Sequence, residues 1–153
     1  QFNMPWGIAI DISGDVYVTD WRNDRVQKFD SEGNFLMAFG ASGGDEGQFN
    51  RPNGIAVDAD GDIYVCDWLN DRVQVFDRTG GFKDVLIGHS GMSKWGQALL
   101  DANPDIERKL ESAVQNIEPK RRFYRPVSVH VDKNGKVYVA DCYRHRVQIY
   151  QKL

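Results

Sequence analysis

The octet "DWRNDRVQ" at Asp20 to Gln27 returns as "DWLNDRVQ" at Asp67 to Gln74 and as "DCYRHRVQ" at Asp141 to Gln148. Such a string is either an active-site motif used three times or a joint that every unit of a repeat requires, and the letters around it decide. Pro5, Gly7, Asp11, Gly14, Asp20, Asp24 and Arg25 recur 47 positions later as Pro52, Gly54, Asp58, Gly61, Asp67, Asp71 and Arg72. Another 74 positions on stand Pro126, Asp132, Gly135, Asp141 and Arg146, with Ser128 in place of glycine and His145 in place of aspartate. The step grows from 47 to 74, so 27 extra residues precede the third copy. A fixed period of this length is the mark of a repeat architecture.

Each copy reads as short strands joined by turns. "GIAIDISGDVYVTD" places an apolar run Ile8 to Ile10, a turn Asp11 to Asp15 with glycine where positive φ is needed, and an alternating run Val16 to Val18. "GIAVDADGDIYVCD" and "SVHVDKNGKVYVAD" repeat that hairpin. After the octet, "RVQKFD", "RVQVFD" and "RVQIYQ" supply a third strand, and "NFLMAFG" and "FKDVLIG" a fourth in the first two copies. Four antiparallel strands in roughly 40 to 50 residues describe a β-propeller blade, so the expected fold class is all-β with three blades. The octet then falls between the second and third strands.

The letters Pro52, Gly54, Val57, Asp58, Gly61, Tyr64, Val65, Asp67, Asn70, Arg72, Val73, Gln74, Val75 and Phe76 resemble the NHL repeat. His145 stands at the histidine position of that pattern, where Asp24 and Asp71 depart from it. The expected division is blade 1 at 1–47, blade 2 at 48–92, a helical insert at 93–119, and blade 3 at 120–153 lacking its outer strand. The resemblance implies a six-bladed ring and a binding module for proteins or, in some members, RNA. Three blades leave two sandwich faces open, and burying them by homodimerisation would complete six. A chain that begins at Gln1 is alternatively expected to be a piece of a longer parent.

The insert carries two helical periodicities, Trp95, Ala98, Leu99 and Ala102, then Ile106, Leu110, Ala113, Val114 and Ile117, with Asn103-Pro104 as a cap. It leaves from the connection between fourth and first strands and is expected on the same face as the octets, packed on the ring or acting as a lid.

Composition narrows the function classes. With 19 basic against 22 acidic residues, a nucleic-acid surface is not expected. No apolar run approaches the roughly 20 residues of a membrane-spanning helix, and nothing assigns a compartment. Cys66 and Cys142 fall at different offsets in their repeats, which reads as two buried or half-buried free thiols rather than a disulfide or metal pair.

The constant Asp and Arg letters read as structural, because a residue needed in every unit does a job every unit has. Recognition is expected from the variable positions: Trp6, Asn53, Trp21, Arg22, Trp68, Leu69, Tyr143 and Arg144, where aromatic rings in or near the face loops suit a protein or small ligand on the loop face, with burial between blades as the equal alternative. His130 reads as a packed histidine. No catalytic residue, metal site or cofactor is expected, since only Asn3, Asn53 and His130 could approach a central channel. The alternative is half of a metal-dependent lactonase-like or lyase-like propeller enzyme, which the wider family resemblance keeps open.

Overall fold

The computed structural model describes residues 1–88 and 122–152. The expected helical pieces at 93–119 lie outside the described residues. Blade 1 is the sheet β1 (Pro5–Ile10), β2 (Val16–Asp20), β3 (Arg25–Phe29) and β4 (Phe35–Phe39). Blade 2 is β5 (Pro52–Val57), β6 (Ile63–Asp67), β7 (Arg72–Phe76) and β8 (Phe82–Leu86). Blade 3 has three strands among the described residues, β9 (Pro126–Val131), β10 (Lys136–Asp141) and β11 (Arg146–Gln151). All neighbouring strands pair antiparallel, and the first two sheets run in chain order. Among the described residues no helix is long and apolar enough to cross a membrane.

The turns are written by their aspartates. Asp11 accepts the backbone N–H groups of Ser13 and Asp15 at 2.8 and 3.0 Å, and Gly14 adopts φ 87°. The phenol of Tyr17 also donates to Asp11, at 3.1 Å. Asp58 with Tyr64 and Asp132 with Tyr138 reproduce this arrangement.

Strand side chains alternate between the faces of a sheet, so every blade has a leading face toward the preceding blade and a trailing face toward the next. One core lies between blades 1 and 2, where Tyr17 and Val26 meet Ile55, Ile63, Val65 and Phe76. A second lies between blades 2 and 3, where Tyr64, Cys66 and Val73 meet Val129, Val137 and Val139. Blade 2 is covered on both faces, which is why all of Ile63–Asp67 is buried.

The inner strands β1, β5 and β9 touch side by side, and glycine permits this. A Cβ on Gly7 would sit 2.1 Å from the Asn53 carbonyl oxygen, and one on Gly54 would sit 2.8 Å from both Ser128 Cα and the Val127 carbonyl oxygen. At the opposite end, Lys152 of blade 3 reaches back to blade 2, its Nζ 2.6, 2.8 and 2.9 Å from Asp58, Asp60 and Asp62. Burial opposes the charge on Lys152, yet these carboxylates hold its ammonium above the ordinary lysine range. Burial likewise opposes ionisation of Asp62, but Lys83 and Lys152 outweigh it and hold that carboxyl below its usual value.

Two expectations need correction. Cys66 is buried, but Cys142 is exposed, because blade 3 has nothing on its trailing side among the described residues. For the same reason His130 is exposed and tilted against Tyr138, with 6.4 Å between ring centres, rather than packed in a core.

Candidate interaction face

The octet forms one turn of 3-10 helix, Trp21–Asn23 in blade 1, Trp68–Asn70 in blade 2 and Cys142–Arg144 in blade 3. The residue after each turn is left-handed: Asp24 at φ 49°, Asp71 at 55° and His145 at 51°. Aspartate, asparagine and histidine enter that region more readily than most side chains. The first octet letter anchors the turn. Asp20 accepts the Asn3 backbone N–H at 2.7 Å, the Asn23 amide at 2.8 Å, Arg25 Nε at 3.0 Å and the Gln27 amide at 3.0 Å. Asp67 gathers Asn50, Asn70, Arg72 and Gln74 in the same way, and Asp141 gathers Tyr124 and Arg146. These constant letters are thus consumed in holding the chain.

Position within the fan splits the two equivalent carboxylates. For Asp20, burial favours the neutral acid, but the donors from Asn23, Asn3 and Arg25 outweigh it and hold the carboxyl below its usual range. Asp67 lies in the doubly covered blade, where burial wins over a similar donor set and pushes its carboxyl up.

The left-handed aspartates join adjacent blades. Asp24 Oδ1 accepts the Arg51 backbone N–H at 2.8 Å, and Asp71 Oδ1 accepts that of Arg125 at 2.9 Å. The Arg51 guanidinium then lies 4.9 Å over the Trp21 ring and 3.7 Å from Asp24, while Arg125 lies 5.4 Å over Trp68 and 3.6 Å from Asp71. Arg51 and Arg125 did not emerge from the sequence as site residues. Their signal was an arginine repeated at the 74-residue offset, with Met4 standing in its place in the first copy.

The rings that remain form a run. Trp6 stacks on Trp21 with centres 5.9 Å apart and planes 28° apart, and Trp21 meets Trp68 at 6.3 Å. A cavity of about 240 Å³ opens beside them, lined by Trp6, Trp21, Asn53, Trp68 and Tyr143, together with Val127 and Cys142. Arg22, Leu69 and Arg144 do not line it. Arg22 points its backbone carbonyl at Arg51, the Leu69 N–H donates to the Asn50 carbonyl, and Arg144 lies 5.3 Å over Tyr124. On this same side Arg146 donates to the Arg122 carbonyl at 3.0 Å. Among the described residues, no three His, Cys, Asp or Glu side chains are gathered as a metal site.

A family model for the NHL repeat matches residues 2–29, 49–76 and 123–150, more than half of the chain. The chain belongs to the NHL repeat family. Protein brain tumor of Drosophila melanogaster is 42% identical over 48 residues, covering 31% of this chain and 5% of that protein. Protein lin-41 of Caenorhabditis elegans is 56% identical over 32 residues, covering 21% and 3%. The chain therefore spans only a small part of these NHL relatives. Among solved structures, streptogramin B lyase superposes with a TM-score of 0.56 at 12% identity, covering 96% of this chain and 40% of the lyase. A gluconolactonase from Xanthomonas campestris does so with a TM-score of 0.59 at 16% identity, covering 92% and 36%. At such identities the likeness is one of fold, here the β-propeller.

Proposed function

We propose that this NHL chain is a non-enzymatic interaction module that captures a protein partner on its octet face, and that two copies close one six-bladed ring. The observation that carries the first part is the division of labour within the octets. Their Asp and Arg letters are spent on structure, while three tryptophans and Tyr143 are left around an open cavity. Rigid aromatic rings beside a concavity suit the anchoring side chain of a partner. Among the described residues Ile8 and Ile10 on blade 1 and Val147 and Ile149 on blade 3 are exposed, and apolar faces of that kind support the second part.

Peptide display selected on the intact chain tests the first part, with binders re-measured against Trp6→Ala and Tyr143→Ala. Both side chains are exposed, so the fold should survive. A loss of tenfold or more in both variants is expected. Peptides that bind wild type and variants equally would remove this cavity from the reading. A solution mass near 17.4 kDa would end the two-copy ring.

A further inference from the structure

The cavity beside the octets is built from two letters of the repeat, each taken from three adjacent blades. Trp6, Asn53 and Val127 are the same inner-strand letter, and Trp21, Trp68 and Cys142 are the same opening letter of the 3-10 turn. Tyr143 adds a further ring. Asn53 is the one side-chain amide in this lining. It stands in the middle blade, with a described blade on either side, and is only 3% exposed. Its backbone carbonyl accepts Thr19 Oγ1 at 2.7 Å, and its side-chain oxygen accepts the Gly54 N–H at 2.7 Å. Its Nδ2 donates to no described residue, although a buried amide ordinarily finds an acceptor.

The groups around that amide are also rich in donors and short of acceptors. An indole carries an N–H and no acceptor, and none of Trp6, Trp21 and Trp68 donates to another described residue. Nearby carbonyls are engaged: that of Trp68 accepts Arg125, and that of Cys142 accepts the His145 N–H. No Lys, Arg, Asp or Glu lines the cavity. Arg51 and Arg125 already lie over Trp21 and Trp68, each beside its own aspartate. A cation entering here would meet occupied ring faces and no counter-charge. A sugar hydroxyl or an ordinary peptide would bring a donor to a lining with little to receive it. The complement is a neutral body that offers carbonyls and no N–H.

We infer that the cavity takes a proline-rich segment of a partner protein in the polyproline II conformation, its prolyl rings against the aromatic lining and a prolyl carbonyl accepting from Asn53 Nδ2. This deepens the capture role proposed above for the octet face and rests on it. The peptide bond that enters a proline has no N–H, so it is an acceptor without a donor. It carries a compact apolar ring, and its extended helix is preformed, so little entropy is lost on docking. Trp6 and Trp21, stacked with centres 5.9 Å apart, give such rings a flat wall.

Decaproline titrated into the intact chain and followed by tryptophan emission tests this. The control is a peptide of equal length with alternate prolines replaced by alanine, which restores N–H groups; it is expected to bind at least tenfold more weakly. A third peptide with N-methylalanine at those positions keeps the tertiary amide without the ring, and is expected to fall between the two. Asn53→Asp removes the donor and should cost decaproline tenfold or more. Trp6→Ala should do the same, and it carries the test if the Asn53 variant does not fold. Equal affinity for decaproline and the alanine peptide, or no binding of decaproline at all, would overturn the inference. So would tighter, Trp6-dependent binding of oligouridylate or of a trimethyllysine peptide. Displayed peptides that lack proline yet are lost in Trp6→Ala and Tyr143→Ala would leave the capture face standing and sink its proline chemistry alone. Display that yields no cavity-dependent binder would sink both.

Discussion

Replacing Asp67 with alanine asks how much of the fan hangs on one octet letter. The carboxylate is wholly inaccessible and receives the Asn50 N–H at 2.7 Å, Asn70 at 2.8 Å, Arg72 at 2.8 Å and Gln74 at 3.2 Å. Three of these donors keep another acceptor: Asn70 has the Gly43 carbonyl, Arg72 the Asp45 and Gln48 carbonyls, and Gln74 the Gln48 carbonyl. The Asn50 N–H loses its acceptor, which costs about 1–3 kcal/mol, and the part-buried Arg72 guanidinium loses its counter-charge, for which the roughly 3–5 kcal/mol of a fully buried pair is an upper bound. Two offsets reduce the sum. Arg72 keeps its carbonyls, and burial already penalises the Asp67 charge, as its raised pKa records. A net loss of about 3 kcal/mol follows, and with a urea slope of about 2 kcal/mol per molar the midpoint falls by about 1.5 M. Far-ultraviolet circular dichroism and tryptophan fluorescence should report one coincident transition, with Trp68 adjacent to the lesion. Asp67→Asn, which retains an acceptor for Asn50, should lose about 1 kcal/mol. A midpoint shift below about 0.3 M for the alanine variant would refute the octet aspartate as a structural joint.

Gly54→Ala should lower stability by about 1–3 kcal/mol, because the added methyl meets strand β9 at 2.8 Å; an unchanged urea midpoint would contradict the tight inner junction. Asp62 has a folded pKa below its unfolded value, so its contribution is complete above about pH 4 and is lost as pH falls through the folded value. Lys152→Met should therefore flatten the decline in stability between about pH 4 and pH 2, and a parallel decline in both proteins would argue against this clasp. Cys66 is buried and its thiol pushed up by burial, with the Asp67 charge adding to the effect. It should resist a thiol reagent until the chain unfolds, so rapid labelling of Cys66 in the native state would show that the second core opens.

The strands, turns and octets were legible because they are local and repeated. Asp11, Gly14 and Tyr17 write a turn within seven residues, and the same letters recur at Asp58, Gly61 and Tyr64. Trp6 and Tyr143 stood out as departures from the repeat and Trp21 and Trp68 as aromatic rings in the face loops, and the fold brings the four to one cavity. Arg22, Leu69 and Arg144 departed equally but do not line it, since variation marks freedom from a structural task rather than direction. The arginine clasp was missed because its stacking partners are far apart in sequence: Arg125 and Trp68 meet only once two blades have packed. Cys142 and His130 were misjudged because their counterparts in the other copies are covered by a following blade.

Phe49 and Phe123 hold one further lesson. Both are seated in the cores at the start of a blade, and each returns its backbone N–H to the end of the preceding one, Phe49 to Ala41 at 2.7 Å and Phe123 to Ile87 at 3.0 Å. Yet 8 residues lie between Gly40 and Phe49, and 34 between Gly88 and Phe123. Treated as plain polymer, two doublings of a closing segment cost only about 1.2 kcal/mol. The phenylalanine seat therefore uncouples tether length from blade spacing. Lineages can lengthen or exchange sequence at that point and give the octet face new neighbours while the strands beneath keep their register.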